Sequence, residues 1–199
     1  MSDLPKERIG NITASRVKDV LAEGKGISRA KYAAELAAER MTGRPHRKSF
    51  FTDATEHGNE FESIASTRYE LRNGVMVEGN GKVYVPHPQI KRAGCCPDRL
   101  VNDDGLVEIK CPDSHTFIDY VMKGEIPRAY RLQMIFQIAC TRRTWNDFFA
   151  YDPDMPEEFS DLQIRMVPTK EEIEKMEFEV VKFDLEVEEL IAQIKSKQI

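Results

Sequence analysis

Pro97-Asp98, nine intervening residues and Glu108-Ile109-Lys110 put two carboxylates and an amine within reach of one β-hairpin. Side chains alternate along a strand, so Glu108 and Lys110 point one way while Val107 and Ile109 point into the core. Asp98 joins them only if the turn has the right length. A three-residue loop Asp103-Asp104-Gly105, with Gly105 left-handed, pairs Asn102 with Leu106 and therefore Asp98 with Lys110; a two-residue loop sets Asp98 opposite Ile109 and dismantles the group. If the carboxylates converge, their repulsion at about 5 Å and an effective dielectric of about 20 is roughly 3 kcal/mol. Lys110 offsets part of this. A hard divalent cation held by Asp98, Glu108 and the carbonyl of Ile109 would offset more, and Mg²⁺ or Mn²⁺ suits such an all-oxygen set. A cation there polarises a phosphodiester and lowers the pKa of a bound water, with Lys110 orienting or activating that water. Spacing alone leaves a plain alternative, a Glu–Lys pair on an exposed strand face. Glu23-Gly24-Lys25 repeats the tripeptide at a helix end, where such positions do not share a face.

The elements that must position these groups are legible as changes of hydrophobic period. Thr13 or Ser15 caps a helix carrying Val17, Val20 and Leu21, which Gly24 stops; a second helix runs from Ser28 to Gly43 with Tyr32, Leu36 and Ala37 on one face. Asp53 and Glu56 form a capping box for a third, striped by Phe61, Ile64, Ala65 and Tyr69 and ended by Asn73-Gly74. These three helices precede any strand in this reading. From Val75 the period falls to two, predicting a meander to Lys110. Helices over 114–123 and 128–141 follow, then strands at 148–151 and 162–167, and Thr169 with Glu172 opens a closing acidic helix. The fold class is α/β, a mixed sheet flanked by helices. One domain is expected over 1–199: a helical part to 74, a catalytic part over 75–151 and an acidic part over 152–199.

Composition removes other classes. The net charge of −5 excludes a generic basic nucleic-acid coat. Residues 154–199 hold 13 acidic and 6 basic side chains, leaving a slight basic excess before them. Any polyanion site is therefore expected in the first three quarters, where Arg40, Arg44, Arg47 and Lys48 cluster and Arg128, Arg131, Arg142 and Arg143 follow; a solvated basic face reads the same way. The acidic tail suits an outer surface or a partner contact. No apolar run approaches the roughly 18 residues of a membrane span, and the opening lacks the apolar stretch of a signal peptide, so a cytoplasmic location is expected. Cys95, Cys96, Cys111 and Cys140 lack the spacing of an iron–sulfur or zinc site, and the four histidines form no metal-spaced pair.

Five segments in register resemble the PD-(D/E)xK nuclease superfamily, and within it the lambda-exonuclease-like viral recombinases of the phage alkaline exonuclease type. Arg8-Ile-Gly-Asn-Ile-Thr-Ala-Ser15 resembles that family's R-x-G-x-I-T-A-S opening, and Gly58-Asn-Glu-Phe-Glu62 its G-x-x-x-E helix. Cys96-Pro97-Asp98 and Glu108-Ile109-Lys110-Cys111-Pro112 resemble its catalytic core, and Tyr130 to Gln137 its glutamine helix. The resemblance implies a restriction-endonuclease-like core, Asp98 and Glu108 as metal ligands, Lys110 as the catalytic lysine and Glu62 as a supporting metal-site carboxylate. It makes Gln133 the glutamine that arranges the nucleophile or scissile phosphate, where spacing alone allows a polar residue on an amphipathic helix. Arg8 and Ser15 become the pocket for a terminal 5′ phosphate, for which a plain cap and a surface arginine are the alternative. Gln133 is followed two positions on by Ile135 where the family often has a second glutamine, and Leu4 stands where it often has an aromatic.

The implied activity is a Mg²⁺-dependent 5′-to-3′ exonuclease on linear double-stranded DNA that leaves 3′ overhangs for recombination. A ring-shaped homotrimer and a single-strand annealing partner are implied by the same resemblance. An endonuclease on the same core is the rival, discriminated by Arg8 and Ser15. A non-catalytic accessory protein is the rival from another class, and it predicts loss of Asp98, Glu108 or Lys110.

Overall fold

The computed structural model describes residues 5–22, 27–46 and 53–197, the stretch 53–60 by its backbone alone. The expected stop at Gly24, residues Arg47 and Lys48 of the basic cluster, Leu4, and the side chains of the Asp53–Glu56 capping box lie outside this description.

A two-residue strand β1 (Ile12–Thr13) opens the fold, followed by a 3-10 turn and a single helical turn, α1 (Val17–Val20). This overturns the expectation that helices precede every strand. Ile12 and Thr13 are β-branched and pair in parallel with Ala93 and Gly94, so Thr13 is a ladder residue rather than a side-chain cap. Helices α2 (Ile27–Thr42) and α3 (Asp53–Asn73) come next, close to their expected bounds. On α2, Tyr32, Leu36 and Ala37 are buried as the pattern requires; on α3, Ala65 and Tyr69 are buried but Ile64 points outward.

The segment read as a meander divides between two sheets. Strands β2 (Val77–Glu78), β5 (Arg99–Val101), β6 (Gly105–Lys110), β7 (Trp145–Tyr151) and β8 (Asp161–Met166) form one sheet in the order β2-β5-β6-β7-β8. Strands β3 (Val85–Pro86) and β4 (Ala93–Cys95) join β1 in a second, in the order β1-β4-β3. The chain leaves the five-stranded sheet through a turn with left-handed Gly79 and Gly81 and returns to it past Pro97. Pro86 and Pro97 donate no backbone hydrogen bond, and Pro97 lies between β4 and β5 where the chain changes sheets.

Helices α4 (Ser114–Lys123) and α5 (Arg128–Thr141) connect β6 to the parallel strand β7. On one face of the five-stranded sheet Val107, Ile109 and Phe149 pack with Ala65 and Tyr69 of α3. On the other, Leu106, Phe148 and Ala150 join the larger core with Met134, Ile135 and Ile138 of α5. Both faces of β6 are thus covered, and neither is the open chemical face the alternation alone implied.

The closing helix α6 (Lys170–Ser196) begins at the expected capping box of Thr169 and Glu172. It is no mere outer surface, because Met176, Val180, Phe183, Val187 and Ile191 enter the larger core. Its acidic residues consume much of the basic excess: Arg29 forms a two-armed pair with Glu186, and Arg40 binds Asp184, Glu188 and the carbonyl of Gly10. Arg131 pairs with Glu172, and Arg143 donates to the carbonyls of Val101, Asn102 and Gly105. Arg40, Arg131 and Arg143 are therefore fold-holding residues rather than a polyanion face. Among the described residues no helix is long and apolar enough to cross a membrane.

Candidate active site

The register of the β5–β6 hairpin decides the site. Leu100 pairs with Leu106 and Val101 with Gly105, so the loop is Asn102-Asp103-Asp104, and Asn102 rather than Gly105 takes the left-handed conformation (φ 46°). Gly105 belongs to the strand for another reason: a Cβ there would come within 2.0 Å of the Trp145 ring. The pair after Arg99 and Val107 brings Asp98 across from Glu108, not from Lys110 as the loop expectation had it. The register moves by two residues, and an even shift leaves the facing unchanged, so Asp98, Glu108 and Lys110 still share a face.

Glu108 is fully buried in the middle of the sheet, roofed by α5. Gln133 Nε2 donates to its Oε1 and Gln137 Nε2 to its Oε2, each at 2.6 Å. Lys110 Nζ also meets Glu108 Oε1, donates to the Ile109 carbonyl at 3.0 Å, and lies 3.9 Å from Asp98 Oδ2. Asp98 Oδ2 accepts from the Ile109 amide at 2.8 Å, which locks the end of β5 against β6. Burial, and next the charge of Glu108, push the Asp98 carboxyl up to about 7 against the pull of Lys110. Burial lowers the Lys110 pKa, but Glu108 and Asp98 outweigh it and the net shift is upward, so Lys110 is an ammonium. As an ammonium it can orient a bound group and neutralise charge.

Glu62 approaches from the other side of the sheet. Its Oε1 accepts from Arg99 Nη1 at 2.8 Å, and the same nitrogen donates to the Asp98 carbonyl at 2.7 Å. Glu62 therefore reaches the site through Arg99. Among the described residues no three His, Cys, Asp or Glu side chains gather at metal-binding distance. The candidate cation ligands are two carboxylates, of Asp98 and Glu108, with the Ile109 carbonyl. All three already turn toward one ammonium, and this hard oxygen set fits a small divalent cation.

A cleft of about 470 Å³ opens over these groups, and Arg8, Thr13, Ser15, Lys18, Cys96, Tyr130 and Gln133 line it together with Asp98, Glu108 and Lys110. The first and third segments singled out in the sequence thus meet in space. Thr13 and Ser15 hydroxyls lie 3.4 Å apart. Ser15 sits in the 3-10 turn ahead of the four-residue α1, so the amides expected of a helix start amount to one turn. Among the described residues neither Arg8 nor Lys18 forms an ion pair.

Four contributors had no role assigned to them by the sequence. Gln137 lies one helical turn beyond Gln133, a spacing of four that puts both amides on one face of α5 and could have been found. Asn146 on β7 donates to Gln137 Oε1 at 2.8 Å and carries no local signal. Tyr130 places its ring 5.2 Å from Lys110 Nζ. Lys18 follows Ser15 by three residues and lines the same wall.

The model of the YqaJ-like viral recombinase domain matches residues 5–144. A crystal structure of an alkaline exonuclease (LHK-Exo) from Laribacter hongkongensis is 38% identical, with 96% of this chain and 94% of that chain covered and a TM-score of 0.87. LHK-Exo in complex with dAMP matches at 36% identity over 100% and 98% of the two chains, with a TM-score of 0.91. A phage-related exonuclease from Haemophilus somnus 129PT shares the fold at a TM-score of 0.75 and 14% identity, over 92% of this chain and 96% of that one. No curated protein matches. The similarity to LHK-Exo includes the α6 tail, beyond the reach of the sequence motifs. The chain belongs to the YqaJ-like viral recombinase family and, with it, to the nucleases of alkaline-exonuclease type.

Proposed function

We propose that the protein is a divalent-metal-dependent exonuclease that digests one strand of linear duplex DNA from its 5′ end and leaves a 3′ overhang. One observation carries the end-directed part of this reading: Arg8 and Ser15 line the same cleft as Asp98, Glu108, Lys110 and Gln133. An endonuclease has no need of a cationic pocket for a chain end beside its catalytic carboxylates. The relative from Laribacter is known with dAMP bound, a nucleotide of the kind an exonuclease releases.

Asp98, Glu108 and the Ile109 carbonyl would hold Mg²⁺, or Mn²⁺, and the ion supplies polarisation of the scissile phosphate and stabilisation of developing charge. Arg8 offers a guanidinium to the terminal phosphate, and Ser15 a hydroxyl. Lys110, fixed by Glu108 and the Ile109 carbonyl, presents an ammonium to the reacting phosphate. Gln133 and Gln137 hold Glu108 so that its charge faces the cleft. A cytoplasmic homotrimer working beside a single-strand annealing protein is the wider setting of the proposal.

The test is digestion of linear duplex DNA, labelled on one strand, with 5′-phosphate or 5′-hydroxyl ends, in Mg²⁺ or EDTA, for wild type and Lys110→Ala. Metal-dependent release from phosphorylated ends, lost in Lys110→Ala and absent on closed circles, is the expected result. Cutting of closed circles would move the assignment to an endonuclease, and no cleavage with any metal would leave a non-catalytic role.

A further inference from the structure

The roof over Glu108 has its own support, one layer away from the cleft. Gln137 is 1% exposed and Asn146 is 0% exposed, and neither side chain lines the cleft. Gln137 Nε2 donates to Glu108 Oε2, and Gln137 Oε1 accepts from Asn146 Nδ2. A glutamine amide has two ends of nearly equal shape and opposite polarity. A carboxylate only accepts, so the nitrogen end must face Glu108. What keeps it there is a donor at the oxygen end, and Asn146 is that donor.

The sheet explains why the Asn146 side chain faces Gln137, which takes its Nδ2 while its buried Oδ1 has no hydrogen-bond partner. Asn146 stands on β7 in register with Leu106, and Phe148, two residues on, is in register with Glu108. Strand alternation therefore gives Asn146 and Glu108 the same face, under α5. The relay runs from a central strand, through a helix, to a carboxylate on the neighbouring strand, with no exposed atom along it.

We infer that Asn146 is a positioning residue that sets the Gln137 amide and, through it, the Glu108 carboxylate. The inference rests on the nuclease reading for its kinetic consequence but not for its geometry. Asn146→Asp exchanges the donor for an acceptor in nearly the same volume. While the new carboxyl is ionised, Gln137 satisfies it by turning its nitrogen toward β7, which sets oxygen against oxygen at Glu108; Asn146→Leu removes the donor with no ionisable group in its place. Outer partners of metal-binding carboxylates typically contribute about 10- to 100-fold to metal affinity or activity.

Three measurements test this on the full chain. Steady-state kinetics on 5′-phosphorylated duplex should show kcat of Asn146→Asp reduced about 10- to 100-fold with KM within about twofold. Calorimetric titration with Mn²⁺, without DNA, should show a weakening of the same order. In a ¹⁵N-labelled sample the Gln137 side-chain amide signals should move, which needs neither metal nor activity. Gln137→Met should lose as much as Asn146→Asp, and the double variant no more than either, because one path carries both effects. Asn146→Leu, neutral and of similar size, replaces Asn146→Asp if the latter does not fold.

Losses that multiply in the double variant would overturn the inference. So would an Asn146 variant that folds and leaves kcat, Mn²⁺ affinity and the Gln137 signals unchanged. A wild type without nuclease activity would sink the functional reading instead, while the amide signals would still decide the relay.

Discussion

Glu108 and Asp147 are both fully buried carboxylates on adjacent strands, and they face opposite sides of the same sheet. Asp147 is closed on itself. Arg165 clamps it with two arms at 2.8 and 2.9 Å, and Tyr69 and Gln163 each donate at 2.8 Å. Its charge is matched and its lone pairs are used. Glu108 shares one ammonium with Asp98, receives two neutral amides, and opens on a cleft where Arg8 and Lys18 have no carboxylate partner among the described residues. A charge pairing that closes inside the molecule holds a fold. One left open on both signs can take a cation at the carboxylates and an anion at the free cations.

That contrast is broken most sharply by exchanging charge for amide on each side. Lys110→Ala should reduce kcat on linear duplex by about 10²- to 10³-fold, the scale of one preorganised electrostatic contact. Glu108→Gln should fall in the same class, because it removes the charge that Lys110 and the two glutamine amides are arranged around. A Glu108→Gln variant that melts early with activity intact would erase the distinction from Asp147. Arg8→Ala should slow digestion of 5′-phosphorylated ends by about 10- to 100-fold, the worth of a charge-assisted hydrogen bond, and leave 5′-hydroxyl ends unaffected. Equal losses on both ends would make Arg8 a general DNA contact.

Asp147→Asn should do the reverse, costing about 2 kcal/mol in denaturant unfolding, discounted for the half-exposed Arg165, with kcat unchanged. A smaller effect concerns pH. His87 Nδ1 accepts from the amides of Gln89 and Ile90, while Nε2 meets Glu177 at 3.1 Å and the ring stacks on Phe136. Burial lowers its pKa below the ordinary 6.5, although Glu177 opposes the shift and Arg142 adds to it. The unfolded chain then takes up a proton before the folded one. The stability His87 contributes is full above about 6.5 and fades as pH falls toward the lowered value. Thermal melts from pH 7.5 to 5.5 should show a steeper loss for wild type than for His87→Gln.

Legibility followed the range of the interaction. The bounds of α4 and α5, and the Thr169–Glu172 box that opens α6, were plain because caps and helical periods act within a few residues. The assignment of 75–110 to one meander failed, since pairing partners are chosen across the chain and it passes from one sheet to the other at Pro97. The loop register was misplaced by two, yet the facing survived because side-chain direction depends only on parity. The part Arg40 plays in the fold was not legible, because a local cluster of basic residues does not show the distant Asp184 and Glu188 that pair with it.

By itself, the sequence determined which atoms are available: two carboxylates and a lysine on one strand face, a glutamine one turn from another, an arginine and a serine in an early motif. These are facts of residue type and local period, and each follows from backbone geometry repeated every two or 3.6 residues. Only the tertiary structure decided that Arg8 and Ser15 share a cleft with Asp98 and Lys110, and that Glu62 works through Arg99. It alone placed Asn146 behind Gln137. Those outcomes depend on which surfaces bury one another, and a linear pattern carries no record of distances across the core.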